Sequence, residues 1–240
     1  LALVAVYSLK GGVGKTTLAV NLSWAAARLS GKKTLLWDLD SQAASTFLIG
    51  PKPAPGAPLR AVLALDIGMD AIVPTHIPML DILPADASLR SLDSLLSGGY
   101  RGGGLRRLIA QIEQRYDLVI LDCPPGYTTA VDEVMRTASM ILVPTMPSLL
   151  SQRMLAELSG YILRQHRETT RIVPVFTKVD HRQPMHRAML ALNPDRPVIP
   201  LAGVIERMAT RHSAVGEFAP ASRATRAFGE LWSGMERQLY

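Results

Sequence analysis

One stretch of the chain constrains its fold more than any other: Leu9-Lys10-Gly11-Gly12-Val13-Gly14-Lys15-Thr16-Thr17. It lies between an apolar run, Leu3 to Tyr7, and an amphipathic helical pattern from Lys15 to Leu29. A strand that turns through glycines into a helix leaves backbone N–H groups converging at the positive end of that helix, a geometry that cradles phosphate. In such a loop the backbone of Gly11, Gly12, Val13 and Gly14 wraps the phosphates together with Thr17. Lys15 reaches the β and γ oxygens, and the Thr16 hydroxyl ligates Mg²⁺.

The rest of the chain supplies a setting for that loop. Further unalternating apolar runs occur at Thr34 to Leu39, Leu118 to Leu121 and Met140 to Val143, and they suit strands buried on both faces. Helical patterns fall between and after them, at Leu105 to Arg115, Thr129 to Thr137, Leu149 to His166 and Ala221 to Leu239. Alternation of this kind predicts an α/β fold, a mostly parallel twisted sheet with helices on both faces, and the glycine loop after its first strand makes the expectation one of the P-loop NTPase type. Pro51 to Pro58 and Ser97 to Gly104 read as loops inside one domain over residues 1–240, and a last strand is expected near Val204 and Ile205.

Composition excludes several classes. A single cysteine, Cys123, closes no intrachain disulfide and builds no multi-thiolate metal site; beside Asp122 it is expected to be a buried, inert thiol. With 48% hydrophobic and 19% charged residues the chain is that of a folded globular protein. No apolar run approaches the ~18 residues of a membrane span, and Leu1 to Leu9 lacks the basic start of a secretory signal, so the cytoplasm is the expected compartment. The net charge of +6 is concentrated: between Tyr161 and Arg226 eleven basic residues face five acidic ones, an excess of six. Ten of the eleven are arginines, whose guanidinium fork matches phosphate oxygens.

Two carboxylate groups accompany the loop. In Trp37-Asp38-Leu39-Asp40-Ser41-Gln42 the two acids, two residues apart, point to the same side of a strand end, which is how acidic groups gather around a metal. The stretch Tyr116 to Gly126 gives a buried strand ending in Asp122, suited to the Mg²⁺ shell, followed by Pro124-Pro125-Gly126. His181 and His186 fit no metal spacing and are expected at the surface.

Lys10-Gly11-Gly12-Val13-Gly14-Lys15-Thr16-Thr17 resembles the deviant phosphate loop of the ParA and MinD group of ATPases, with Leu9 where the general pattern has glycine. The resemblance implies that Lys10 reaches across an ATP-sandwich homodimer to the partner's phosphates, that Asp40 positions the attacking water, and that Asp38 and Asp122 hold Mg²⁺ through water. It implies slow, partner-stimulated ATP hydrolysis. Ser41 and Trp37 depart from the family's usual residues without touching a carboxylate. Thr177-Lys178-Val179-Asp180 resembles the guanine-reading Asn-Lys-x-Asp motif with Thr in place of Asn, yet the ParA family binds ATP with a related strand end and a following segment that Ile205-Glu206-Arg207 matches. ATP is therefore the expected nucleotide and GTP the alternative, with Thr177, Asp180 and Ile205 near the base.

The same resemblance implies sequence-independent DNA binding by the dimer through C-terminal basic residues, here Arg207, Arg211, Arg223 and Arg226. It further implies nucleoid association, a ParB-like or cargo-adaptor partner, and a cargo such as a plasmid, a chromosome or a protein assembly. A MinD-like membrane-surface ATPase is one alternative, but Phe228 to Tyr240 carries two glutamates and one arginine, a composition of a packed helix more than of an anionic-lipid anchor. An ATP-dependent metabolic enzyme on the same fold is the other.

Overall fold

The structure is a computed structural model that describes residues 1–50, 69, 71–85, 104–165 and 170–240. The apolar runs form strands β1 (Ala2–Val6), β2 (Thr34–Asp38), β3 (Val73–Pro74), β4 (Leu80–Leu83), β5 (Leu118–Asp122), β6 (Met140–Thr145), β7 (Arg171–Val179) and β8 (Val198–Pro200). Every residue of β1, β2, β5 and β6 is buried, which is why their sequences do not alternate. The strands form one sheet in the order β3-β4-β2-β5-β1-β6-β7-β8. All neighbours are parallel except the β3–β4 pair at one edge.

Ten helices among the described residues accompany the sheet: α1 (Lys15–Leu29), α2 (Ala44–Ile49), α3 (Gly104–Glu113), α4 (Thr129–Thr137), α5 (Leu149–Gln165), α6 (Pro184–Ala191), α7 (Gly203–Glu206), α8 (Met208–Arg211), α9 (Val215–Phe218) and α10 (Arg223–Leu239). The period-2 pleat sends alternate strand residues into two cores. Val4, Val6, Leu36, Ile120 and Leu142 pack under Leu18 and Leu22 of α1 and Phe228 and Trp232 of α10. Leu3, Ala5, Leu35, Val119 and Ile141 face Ile112 of α3, Met135 of α4, and Leu158 and Ile162 of α5.

The strand expected near Val204 and Ile205 is a helical turn, α7; the last strand is β8, with Pro197 just before it and Pro200 as its final residue. β8 pairs only with β7 at the sheet edge, where a missing N–H leaves no ladder bond unmade. The last helix begins at Arg223, two residues beyond Ala221, because the Ser222 side chain caps it by accepting from the Thr225 N–H at 3.1 Å. Pro51 to Pro58 lies outside the described residues, as do 97–103, while Gly104 opens α3. Central strand β1 is flanked by β5 on one side and β6 on the other, so chain direction diverges there and a crevice opens at the carboxyl ends of β1, β2 and β5.

Candidate functional site

The crevice holds the glycine loop. Between β1 and α1 the backbone passes through Gly12 at φ +73° and Gly14 at φ +97°, left-handed values that side chains resist. A Cβ at Gly11 or Gly12 would meet nothing within 4 Å, so these positions border open space rather than packed protein. Gly14 caps α1, and Leu18 N–H donates to its carbonyl at 3.0 Å. Lys15 is buried, and its Nζ donates to the Lys10 carbonyl at 3.3 Å, which straps it across the loop. Burial lowers its pKa, against the opposing pull of Asp122 and Asp40. Lys10 points its side chain into the exposed surface.

Asp38 and Asp122 are register partners on β2 and β5, and both are shut away from solvent. Burial pushes the Asp38 carboxyl up to about 6, although it accepts from Thr46 N–H and Thr46 Oγ1, both at 2.8 Å, and from Asp40 N–H at 3.2 Å. Burial, and next the charge of Asp38, push Asp122 up to about 7, opposed by the Ser45 and Thr16 hydroxyls. Ser45 Oγ donates to Asp122 Oδ2 at 2.7 Å, and Asp122 Oδ1 is buried with no hydrogen-bond partner among the described residues. Asp40, half-buried, accepts from Gln42 N–H at 2.9 Å. An orphaned carboxylate oxygen, a second carboxylate beside it and a threonine hydroxyl form a hard, all-oxygen donor set, which fits Mg²⁺. Such an ion, when bound, would neutralise charge on phosphoryl oxygens.

The structure thus brings Lys15, Thr16, Asp38, Asp40 and Asp122 around one crevice. Sequence reasoning missed Ser45 and Thr46, whose only signal is a pair of hydroxyls a few residues past the two acids. It missed Tyr7 as well, a fully buried residue whose Oη donates to the Gly126 carbonyl at 2.8 Å. Cys123 is buried, and burial together with Asp122 holds its thiol protonated.

Beside the loop, a cavity of about 200 Å³ is lined by Gly14, Thr17, Lys178, Pro200, Ala202 and Ile205, among others. Thr177 also lines it, but its hydroxyl donates to Val13 O at 2.7 Å and buttresses the loop from beneath. Asp180 is not among the lining residues. Arg182 engages its carboxylate through Nε and Nη2, both at 2.9 Å, and holds it down near about 2. His186, expected at the surface, is buried: its Nδ1 accepts the Asp180 N–H at 3.0 Å, a local bond that draws the ring inward.

The four arginines are all exposed. Arg223 and Arg226, on the first turn of α10, line a second cavity of about 280 Å³ with His181, Val198, Pro200 and Glu230. Pro200 therefore borders both cavities. Arg207 and Arg211 lie apart from that pair, on the short helical segment before α9.

A parallel sheet with a glycine loop after its central strand and carboxylates at the ends of β2 and β5 defines a P-loop protein of the ParA/MinD type. The chain belongs to the AAA domain family AAA_31, whose model matches residues 1–173. It is 31% identical over 163 residues to a ParA family protein of Chlamydia trachomatis, a match covering 66% of this chain and 64% of that protein. Across the curated relatives, the matches span 46% to 64% of the relative's own length. Two solved structures share the fold over nearly the whole chain. One is the septum site-determining protein MinD from Pyrococcus horikoshii, complexed with Mg-ADP, at 24% identity and TM-score 0.78, covering 99% of this chain and 96% of that one. The other is cobyrinic acid a,c-diamide synthase from Mycobacterium smegmatis with a bound ATP analogue and magnesium, at 25% identity and TM-score 0.81, covering 99% and 94%.

Proposed function

We propose that this chain is a ParA-like ATPase whose 1–240 region works as one domain: it binds MgATP, closes into an ATP-sandwich homodimer, binds duplex DNA without sequence preference and positions a cargo through an adaptor protein. The observation that carries the reading is the pairing of a strapped, buried Lys15 and an orphaned Asp122 oxygen with a second lysine, Lys10, left exposed at the mouth of the same loop. In this reading the loop amides and Lys15 hold the phosphates, and Thr16, Asp38 and Asp122 hold Mg²⁺, the carboxylates through water. Asp40 orients the attacking water, and Lys10 neutralises γ-phosphoryl charge on the partner subunit's nucleotide. The cavity bordered by Ile205 and Pro200 takes the base. Asp180, the carboxylate of the guanine-reading pattern, is engaged by Arg182 and does not line this cavity, which supports ATP over GTP.

Arg207, Arg211, Arg223 and Arg226 form the DNA surface. Helix α10 spends its apolar residues Phe228, Leu231, Trp232 and Met235 in the core, which leaves no apolar face for a lipid bilayer and favours DNA over a membrane. The metabolic alternative, favoured by the likeness to the diamide synthase, requires a second substrate for turnover.

Binding to two unrelated duplexes, with and without MgATP, tests the proposal. Both should bind only with nucleotide, and affinity should fall with salt at a log–log slope of about −0.9 per phosphate neutralised. The double change Arg223→Glu and Arg226→Glu should weaken both equally and flatten that slope. Sedimentation with anionic vesicles in place of DNA binding would establish the membrane reading. ATP turnover seen only with an added small-molecule co-substrate would establish the metabolic one.

A further inference from the structure

Three hydrogen bonds tie the short helix α2 to the crevice carboxylates: Ser45 Oγ to Asp122 at 2.7 Å, and Thr46 N–H and Oγ1 to Asp38, both at 2.8 Å. The next residue, Phe47, is 59% exposed yet engaged by His212. The two rings meet edge to face with centroids 4.8 Å apart, and His212 Nδ1 lies 3.0 Å from the Phe47 carbonyl. A carbonyl only accepts, so Nδ1 carries the proton. His212 holds this position with a left-handed backbone, φ +47°, which is uncommon outside glycine. Arg211 immediately precedes it, exposed and with no side-chain partner among the described residues.

The opposite flank of the same segment is anchored to α1. Asn21 Nδ2 donates to the Thr17 carbonyl at 2.8 Å and touches Met208 Sδ at 3.2 Å, while Asn21 Oδ1 accepts the Val215 N–H at 2.8 Å. Residues 207–212 therefore lie between a firm, buried anchor on the phosphate-loop helix and a lighter contact with α2, one hydrogen bond and one ring edge, while the next residue, Ser213, has its Oγ 2.9 Å from His76 Nε2.

We propose that the Phe47–His212 contact is a coupling joint through which occupancy of the Asp38 and Asp122 site sets the position of Arg207 and Arg211 against a DNA phosphate backbone. The inference rests on the DNA-binding reading above. A cation drawn to the orphaned Asp122 Oδ1 withdraws charge from the carboxylate whose Oδ2 accepts from Ser45, and its approach to Asp38 does the same to the two bonds from Thr46, so occupancy loosens the hold on α2. A ligand shifts a conformational equilibrium only through contacts that differ between states, and these three bonds are such contacts. Helix α2 has six residues, and Ala43, which caps it, sits at φ +54°, so the helix shifts as a unit once its carboxylate bonds weaken. The Phe47 carbonyl shifts with it, and His212 and Arg211 follow.

Hydrogen–deuterium exchange over residues 207–213, with and without MgATP and with no DNA present, tests the joint alone. Duplex binding with and without MgATP tests its consequence. In the wild type, nucleotide should change exchange in this segment and tighten DNA binding by about tenfold or more, within the usual range of coupling between sites. Phe47→Ala and His212→Gly should erase the exchange response and reduce the ATP effect on DNA to under about threefold. ATP affinity and melting temperature should stay near wild type. His212→Asn should restore both responses, since asparagine tolerates the left-handed backbone and its amide can donate to the same carbonyl. An exchange response that persists in Phe47→Ala and His212→Gly overturns the joint. A wild-type exchange response without any DNA binding overturns instead the reading on which it rests.

Discussion

Tyr7 Oη donates to the carbonyl of Gly126 at 2.8 Å, and this single bond ties the strand entering the phosphate loop to the turn that follows Asp122. Gly126 sits at φ +89°, a conformation only glycine adopts freely, so the turn has one preferred shape and the phenol holds it there. Burial raises the pKa of Tyr7, which keeps the hydroxyl a donor at any working pH. Tyr7→Phe should lower ATP turnover roughly tenfold, the equivalent of about 1.4 kcal/mol in the barrier, while ATP affinity stays within twofold or so. Steady-state kinetics with a separate binding titration checks this. A rise in KM with unchanged kcat would show that the bond serves binding and not the turn.

The two lysines of the loop should separate cleanly. Lys15 is buried and strapped to the Lys10 carbonyl, so Lys15→Ala removes a charge from inside the site and should abolish nucleotide binding. Lys10 is exposed, and Lys10→Ala should bind nucleotide as a monomer yet fail to dimerise or turn over. Sedimentation with a non-hydrolysable analogue reads both outcomes. A normal Lys10→Ala dimer would remove the trans role from that residue.

What the sequence made legible follows from how far apart the interacting groups lie. The central strands are apolar at every position because both faces are covered, so they stand out without any tertiary information. Lys15, Asp38 and Asp122 carry local signatures, a glycine turn and acids at strand ends. Ser45 reaches Asp122 across 77 positions and Tyr7 reaches Gly126 across 119, and no local pattern encodes such a bond. Val204 and Ile205 read as strand because two β-branched residues together favour extended chain; the fold instead uses Val198 to Pro200 to close the sheet and turns at Gly203. Asp180 is the reverse case: its partner Arg182 is only two residues away, a pairing visible in the sequence once the loop is known to fold back on itself.

Packing behind the site offers a stability test. Helix α9 approaches α1 so closely that a Cβ at Gly216 would overlap the Trp24 ring. The indole cannot swing away without losing the bond from its Nε1 to Glu217 Oε1, 2.7 Å long. Gly216→Ala should therefore destabilise by about 1–3 kcal/mol, the usual cost of overpacking, or more. The urea midpoint should fall with an unchanged slope, and a neutral result would mean that α9 shifts freely on α1.

The raised carboxylates make nucleotide linkage depend on pH in a definite direction. In the folded chain without ligand, Asp38 and Asp122 titrate near about 6 and about 7, well above their ordinary carboxylate value of 3.8. The folded state therefore keeps protons that the unfolded chain releases. Their contribution to stability is full below about pH 4 and is lost as pH rises through about 6 to 7. On the proposed assignment Mg²⁺ engages the same oxygens in their ionised form, so its binding would expel those protons, and the cost of doing so vanishes above about pH 7. The rise in melting temperature on adding MgATP should be small at pH 5.5, should grow steeply through pH 6 to 7 and should level off by about pH 8. Asp38→Asn should keep the part of that rise due to Asp122, which still titrates, but move it to lower pH, because the charge of Asp38 is one of the causes that raise Asp122. Differential scanning calorimetry across this range reads the curve. A MgATP stabilisation that is flat from pH 5.5 to 8 would mean that neither carboxylate gives up a proton to the metal.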